Sequence, residues 1–156
     1  MSIVIRTAKY EDIESIAALG LCVWIDTYAT EGVRVALSKY VFSYFTIDHV
    51  RGLLVSKKVL VAEVSGHLVG YVVLSVGGRA IEIDNLYVLP KFQGRGIGKE
   101  IISYISTDYS RLWLACWEKN ENAIGFYKSI GFVEDGESFF NLDGELYRNI
   151  ILTKNT

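Results

Sequence analysis

Little in this sequence points to a metal, a disulfide framework or a membrane. Its 156 residues include two cysteines, Cys22 and Cys116, and two histidines, His49 and His67. The cysteines stand far apart and the histidines are isolated, so no metal-ligand spacing exists and no metal site is expected. Two unpaired thiols also suit a reducing, cytoplasmic compartment. The net charge is only −2, which argues against a nucleic-acid footprint and suits a cationic small substrate better. No apolar run reaches membrane-spanning length, and the N-terminus turns charged too early for a signal peptide. There is a single proline, Pro90, and it sits where an apolar strand pattern stops.

What is present is core-forming. Hydrophobic residues make up 51% and charged residues 22%, enough for one globular domain over residues 1–156. Ser2 to Thr7 reads as a first strand, and Glu11-Asp12 opens a helix with Ile13, Ile16, Ala17, Leu19 and Val23 at helical spacing. The aromatic-rich region Trp24 to Leu54 reads as two helices broken near Thr30 to Gly32, with Thr46 as an N-cap. Val59 to Val64 and Leu68 to Val76 are strands joined by the turn Ser65-Gly66-His67, and Ala80 to Leu89 is another. A helix from about Gly96 presents Ile97, Ile101 and Ile105 to a sheet. Arg111 to Cys116 is a short buried strand, and Asn120 to Ile130 a helix closed by Gly131. Strands from Phe132 and over Leu146 to Leu152 flank the turn Asp143-Gly144. The order β-α-α-β-β-β-α-β-α-β-β predicts a mixed α/β sheet with helices on both faces.

The stretch that carries chemistry is Ile83 to Glu100, IDNLYVLPKFQGRGIGKE. Gly94, Gly96 and Gly98 fall at every second position where a strand gives way to a helix. Bare backbone N–H groups and the positive end of the helix dipole suit a phosphate there, with Arg95 and Lys99 adding charge. A P-loop is excluded, because Gly98-Lys99 is followed by Glu100 and its first glycine would fall on Gln93. A dinucleotide fingerprint is excluded too. Its last glycine would fall on Lys99 or Ile101.

What remains, Gln93-x-x-Gly96-x-Gly98 directly after a strand, resembles the pyrophosphate loop of the GCN5-related N-acetyltransferase (GNAT) superfamily. A second motif, WEKNENAIGFYKSIGF over 117–132, places Asn120, Ala123, Phe126-Tyr127 and Gly131-Phe132 where that family carries its own. Within the family, LWLACWEKNENAIGFYKSIGF and VWIDTY (23–28) are most similar to bacterial polyamine (spermidine/spermine) N-acetyltransferases. Two positions depart from known subgroups. Arg148 replaces an acidic tail and is an unfavourable neighbour for a polycation, and Ala115 stands where ribosomal-protein acetylating relatives carry Glu.

The resemblance implies a single-domain, mostly antiparallel sheet with a splayed central strand pair, and acetyl-CoA as co-substrate with no metal. Leu86, Tyr87 and Val88 would pair with pantetheine through their backbone, and an N–H near Val88 would serve as oxyanion donor. Gln93, Gly94, Arg95, Gly96, Ile97, Gly98 and Lys99 would hold the pyrophosphate. Asn120 would contact the pantetheine arm. Acetyl would pass directly to a primary amine of a small, polyamine-like molecule. An alkyl ammonium has a pKa of about 10.4, so a base is needed. Glu82 lies at the strand position of the family's catalytic Glu, with Asp84 two residues on and nominally on the same face. Tyr127, alongside its contact with the cofactor, matches the general acid for the leaving thiolate. Trp24, Tyr28 and Tyr44 would supply cation–π faces for the amine, and Asp26 and Glu31 charge. Family members are commonly homodimers. Competing readings are a protein or peptide N-acetyltransferase and a non-catalytic acyl-CoA sensor.

Overall fold

Seven strands form one sheet in the order β1-β2-β3-β4-β5-β7-β6. The structure is a computed structural model and describes residues 1–78 and 80–156. Along the chain run β1 (Ile3–Thr7), α1 (Ile13–Tyr28), α2 (Val35–Tyr44), α3 (Ile47–Ser56), β2 (Lys58–Val64), β3 (His67–Gly77) and β4 (Ala80–Val88). They are followed by α4 (Ile97–Ser106), β5 (Arg111–Trp117), α5 (Glu121–Ser129), β6 (Val133–Leu142) and β7 (Glu145–Asn155). Every neighbouring pair is antiparallel except β4 with β5.

Alternation along the strands builds a core on each face. On one side Ile97, Ile101, Ile102 and Ile105 of α4, with Ile124, Phe126 and Tyr127 of α5, pack on Ile81, Ile83, Leu112, Leu114 and Cys116. On the other, Ile13, Ile16, Leu19 and Val23 of α1 and Val50 of α3 cover Val59, Val61, Tyr71 and Val73. Helices on both faces therefore hold as expected.

α1 runs to Tyr28, just short of the expected break near Thr30 to Gly32, with Trp24 and Tyr28, one turn apart, both turned inward onto other rings. Two expectations need correction. The aromatic-rich region then holds α2 and α3, so three helices precede β2. Glu11-Asp12 belongs to a tight 3₁₀ turn, Tyr10–Asp12, that leads into α1. Thr46 does cap α3, its side chain accepting from the N–H of His49 at 3.1 Å.

β4 and β5 are paired only at their starts: Ala80 with Arg111, Ile81 with Leu112, Glu82 with Trp113. Directly afterwards β4 carries a bulge. Ile83 faces Leu74 and Asn85 faces Val73, leaving Asp84 without a partner. A bulge bends its strand and sharpens the twist. The inner edges of residues 83–88 and 114–117 then diverge into a wedge open toward the carboxyl ends of both strands, where α/β sheets receive ligands.

Candidate active site

The wedge ends at the glycine loop. Gly94 and Gly96 have φ of 77° and 85°, a left-handed backbone that glycine adopts without strain, and a Cβ on either would meet open space. These two turns lead into α4 at Ile97. Among the described residues, none of the backbone N–H groups from Gly94 to Lys99 donates to a protein acceptor. A row of free donors at the start of a helix is an anion cradle. Gln93 acts differently, since its side-chain amide donates to the Val88 carbonyl at 2.9 Å and ties the loop to the strand. Arg95 lies over the Phe92 ring at 5.0 Å, and Lys99 is exposed. The Ile97 side chain is buried in the core, so only its backbone is available to a ligand. Gly98 keeps α5 close, since a Cβ there would sit 3.0 Å from the Phe126 ring.

After the bulge Leu86 and Val88 face the α4 core, whereas Tyr87 turns to the other face and donates its hydroxyl to Asn85 at 2.8 Å. The Tyr87 side chain is thus structural. In the turn after the facing strand β5, the Asn120 side chain accepts from the Ala123 N–H at 3.3 Å and caps α5, leaving its amide nitrogen without a partner among the described residues.

Tyr127 is buried in the α4 core beside Cys116. Among the described residues, no enclosed side-chain oxygen or nitrogen lacks a hydrogen bond. The Tyr127 hydroxyl makes none with any described residue, so its oxygen opens onto accessible space although its ring is buried. Burial holds its pKa well above the ordinary tyrosine value, with Cys116 adding to the effect. Cys116, in the same surroundings, is pushed up to about 11 by burial. Neither ionises at neutral pH.

The opposite face of the wedge carries Glu82. Burial and the neighbouring Asp84 raise its pKa, and Lys57 partly offsets them. Asp84 is on the same side, as expected, held by Ser75 and Lys57. Beyond them is a column of stacked rings. Trp117 of β5 stacks on Tyr28 (4.9 Å), Tyr28 on Trp24 (4.0 Å), Trp24 on Tyr40 (4.0 Å) and Tyr40 on Tyr44 (4.3 Å), with Phe140 and Tyr147 edge-on. Arg34 reaches Glu145 and the Tyr147 hydroxyl and fastens the α1–α2 connection to the β6–β7 hairpin beside this column.

The structure brings Trp24 and Tyr28 together but not Asp26 and Glu31. Asp26 lies two residues from Trp24, about 200° around the helix. Both acids are exposed and make no hydrogen bond or ion pair with any described residue. Sequence patterns do not mark Tyr40, Trp117, Phe140 and Tyr147 as site residues. Only long-range contacts join them, and no spacing within the chain signals that.

Comparison with known proteins agrees with this geometry. The family model "Acetyltransferase (GNAT) domain" matches residues 56–134, from the end of α3 into β6. An uncharacterised N-acetyltransferase of Lactobacillus delbrueckii subsp. lactis is 32% identical over 105 residues, 59% of this chain and 61% of its own. The peptidyl-lysine N-acetyltransferase YiaC of Escherichia coli K12 is 38% identical over 70 residues, 45% of this chain and 46% of its own. The chain thus spans about 61% and 46% of the lengths of these relatives. The crystal structure of the PaiA N-acetyltransferase from Thermoplasma acidophilum in complex with coenzyme A superposes with a TM-score of 0.84 at 21% identity, over the whole of both chains. That likeness extends the fold to β1, α1, α2 and β7, which the family model does not reach. The chain belongs to the acetyltransferase (GNAT) domain family.

Proposed function

We propose that the chain is an acetyl-CoA-dependent N-acetyltransferase that passes the acetyl group directly to a primary amine of a small, polyamine-like molecule. One observation carries this reading: the β4/β5 wedge runs into a row of unpaired backbone N–H groups. A linear ligand with a strand-like arm and a phosphate group matches both parts. The residues present therefore fit acetyl-CoA, with Leu86 and Val88 offering backbone groups to the arm, residues 94–99 to the pyrophosphate and Asn120 a free amide nitrogen.

Bound acetyl-CoA supplies a thioester whose carbonyl carbon is open to attack by an amine. The two faces of the wedge divide the remaining work. Glu82 takes the proton that the ammonium must lose, and its raised pKa suits it to that role better than an ordinary carboxylate. On the other face Tyr127 keeps its proton at neutral pH and can pass it to the departing sulfur. Burial pushes the Cys116 thiol up to about 11. The thiol of Cys116 is therefore a poor nucleophile, which favours direct transfer over an acyl-enzyme.

The charge balance supports a cationic acceptor better than the sequence suggested. Arg148 pairs with Glu118 at 3.0 Å and Glu137 at 2.6 Å. By strand alternation it shares the Ile150 face, opposite Tyr147. It is neutralised and turned away from the column. A second reading, acetylation of a lysine side chain in a protein, is supported by the uncovered sheet face at Ala115, which is exposed between Trp113 and Trp117. Free Cys22 and Cys116 are in keeping with a cytoplasmic setting, and a homodimer would bury Phe42 and Tyr44, exposed on α2.

The deciding experiment is release of CoA thiol from acetyl-CoA with spermidine, spermine, free lysine and lysine-containing peptides as acceptors. Turnover confined to polyamines supports the leading reading, and turnover with peptides alone replaces it by the second. Binding of acetyl-CoA without turnover of any amine would leave a sensor.

A further inference from the structure

The two carboxylates of β4 are held in unlike ways. Glu82 makes no hydrogen bond or ion pair with any described residue. Asp84 accepts from the Ser75 hydroxyl, 2.7 Å and 2.9 Å from its two oxygens, and lies 3.4 Å from the Lys57 ammonium. Lys57 also donates to the Ser75 oxygen at 2.5 Å, closing a three-membered network. Each member reaches its place for a separate reason. Ser75 stands directly opposite Glu82 in the β3–β4 ladder. Asp84 lies two residues beyond Glu82, so strand alternation keeps it on the Glu82 face, and the bulge at this residue changes the facing only of the residues after it. Lys57 ends α3 and is delivered by the packing of that helix against the sheet.

We propose that Lys57 and Ser75 are positioning residues that pin the Asp84 carboxylate as a fixed anion, leaving Glu82 as the proton-exchanging member of the pair. This rests on the reading of Glu82 as the base under the proposed function. The network commits the Ser75 proton and the Lys57 charge to Asp84 alone. The same anion then disfavours a second negative charge beside it, so Glu82 releases its proton less readily than an isolated carboxyl. Among the described residues, Asp84 and Lys57 are the charged groups that act on Glu82, one raising and one lowering its pKa. β3 presents Ser75 and β5 presents Trp113 at the same level, neither of them charged. A free carboxylate beside a pinned one is a division of labour between two like groups.

The test is a carboxyl-carbon NMR titration of Glu82 in the ligand-free protein, set beside the pH profile of kcat/KM. Lys57→Met should move the Glu82 titration to higher pH, and Lys57→Arg should restore it. Asp84→Asn should move it to lower pH, the opposite direction. The acid limb of kcat/KM should follow in Lys57→Met, lowering the rate several-fold at mildly acidic pH and little at alkaline pH. An unmoved Glu82 titration in Lys57→Met, or a shift of the same sign in Asp84→Asn, overturns the proposal. If the NMR shifts appear but the acid limb stays in place, the pinned pair stands and the reading of Glu82 as base fails.

Discussion

Replacing Tyr127 by Phe separates chemistry from stability better than any other change in this site. The ring fills the core between α5 and the sheet, and Phe keeps that packing. The hydroxyl makes no hydrogen bond with any described residue, so its loss orphans no partner among them. Burying an unpaired hydroxyl costs about 1–3 kcal/mol in proteins, and part of that cost is avoided here because the oxygen keeps access to the wedge. Tyr127→Phe should therefore leave the protein as stable as before, or more stable by up to about 1 kcal/mol. Activity should move the other way. General acid catalysis contributes about 10²–10⁴-fold, so kcat should fall by that factor, roughly 3–5 kcal/mol in barrier. The assay is CoA thiol release at saturating acetyl-CoA, with a urea melt on the same preparation. Unchanged kcat would refute the assignment of Tyr127 as the acid. So would a rate loss that tracks a loss of stability, since the hydroxyl would then be holding structure.

Glu82→Gln tests the base from the side of linkage. Its folded pKa is raised, so its contribution to stability is present below the unfolded value and lost as pH rises through the folded one. The ionised side chain thus costs stability at neutral pH; the Gln variant should melt higher there, with turnover and its acid limb lost. Gly96→Ala puts a Cβ into open space but onto a φ of 85°; about 1–2 kcal/mol of strain should appear mainly as a raised KM for acetyl-CoA. Gly20→Ala would add about 1 kcal/mol of helix propensity, yet its Cβ would lie 2.2 Å from the Tyr71 hydroxyl and 2.6 Å from the Phe45 ring. Overpacking of about 1–3 kcal/mol should win, and a denaturant melt showing stabilisation would contradict the packing seen between α1 and β3.

What the sequence made legible was local. The glycine loop, the Thr46 cap and the Ser65-Gly66 turn are each written within a few neighbouring residues, and each is where the pattern put it. The acceptor side was not local. Its ring column gathers Trp24 and Tyr28 from α1, Tyr40 and Tyr44 from α2 and Trp117 from β5. Asp26 looked plausible because it lies between Trp24 and Tyr28 in sequence, but a helix of 3.6 residues per turn carries position i+2 to the far side.

The least legible feature is also the one on which most depends. Nothing in IEIDNLYV announces that Asp84 is an extra residue, because a bulge is set by the partner strand as much as by its own. Without it, strict alternation would leave Leu86 and Val88 on the Glu82 face and turn Tyr87 into the α4 core. With it, apolar Leu86 and Val88 join Ile81 and Ile83 in that core, while Glu82, Asp84 and Tyr87 share the other face. The bulge begins within two residues of the last β4–β5 pair, so the bend that opens the wedge and the turn of Leu86 and Val88 into the α4 core have one cause. A single inserted residue thus couples the opening of the wedge to the faces that Leu86, Tyr87 and Val88 present along it.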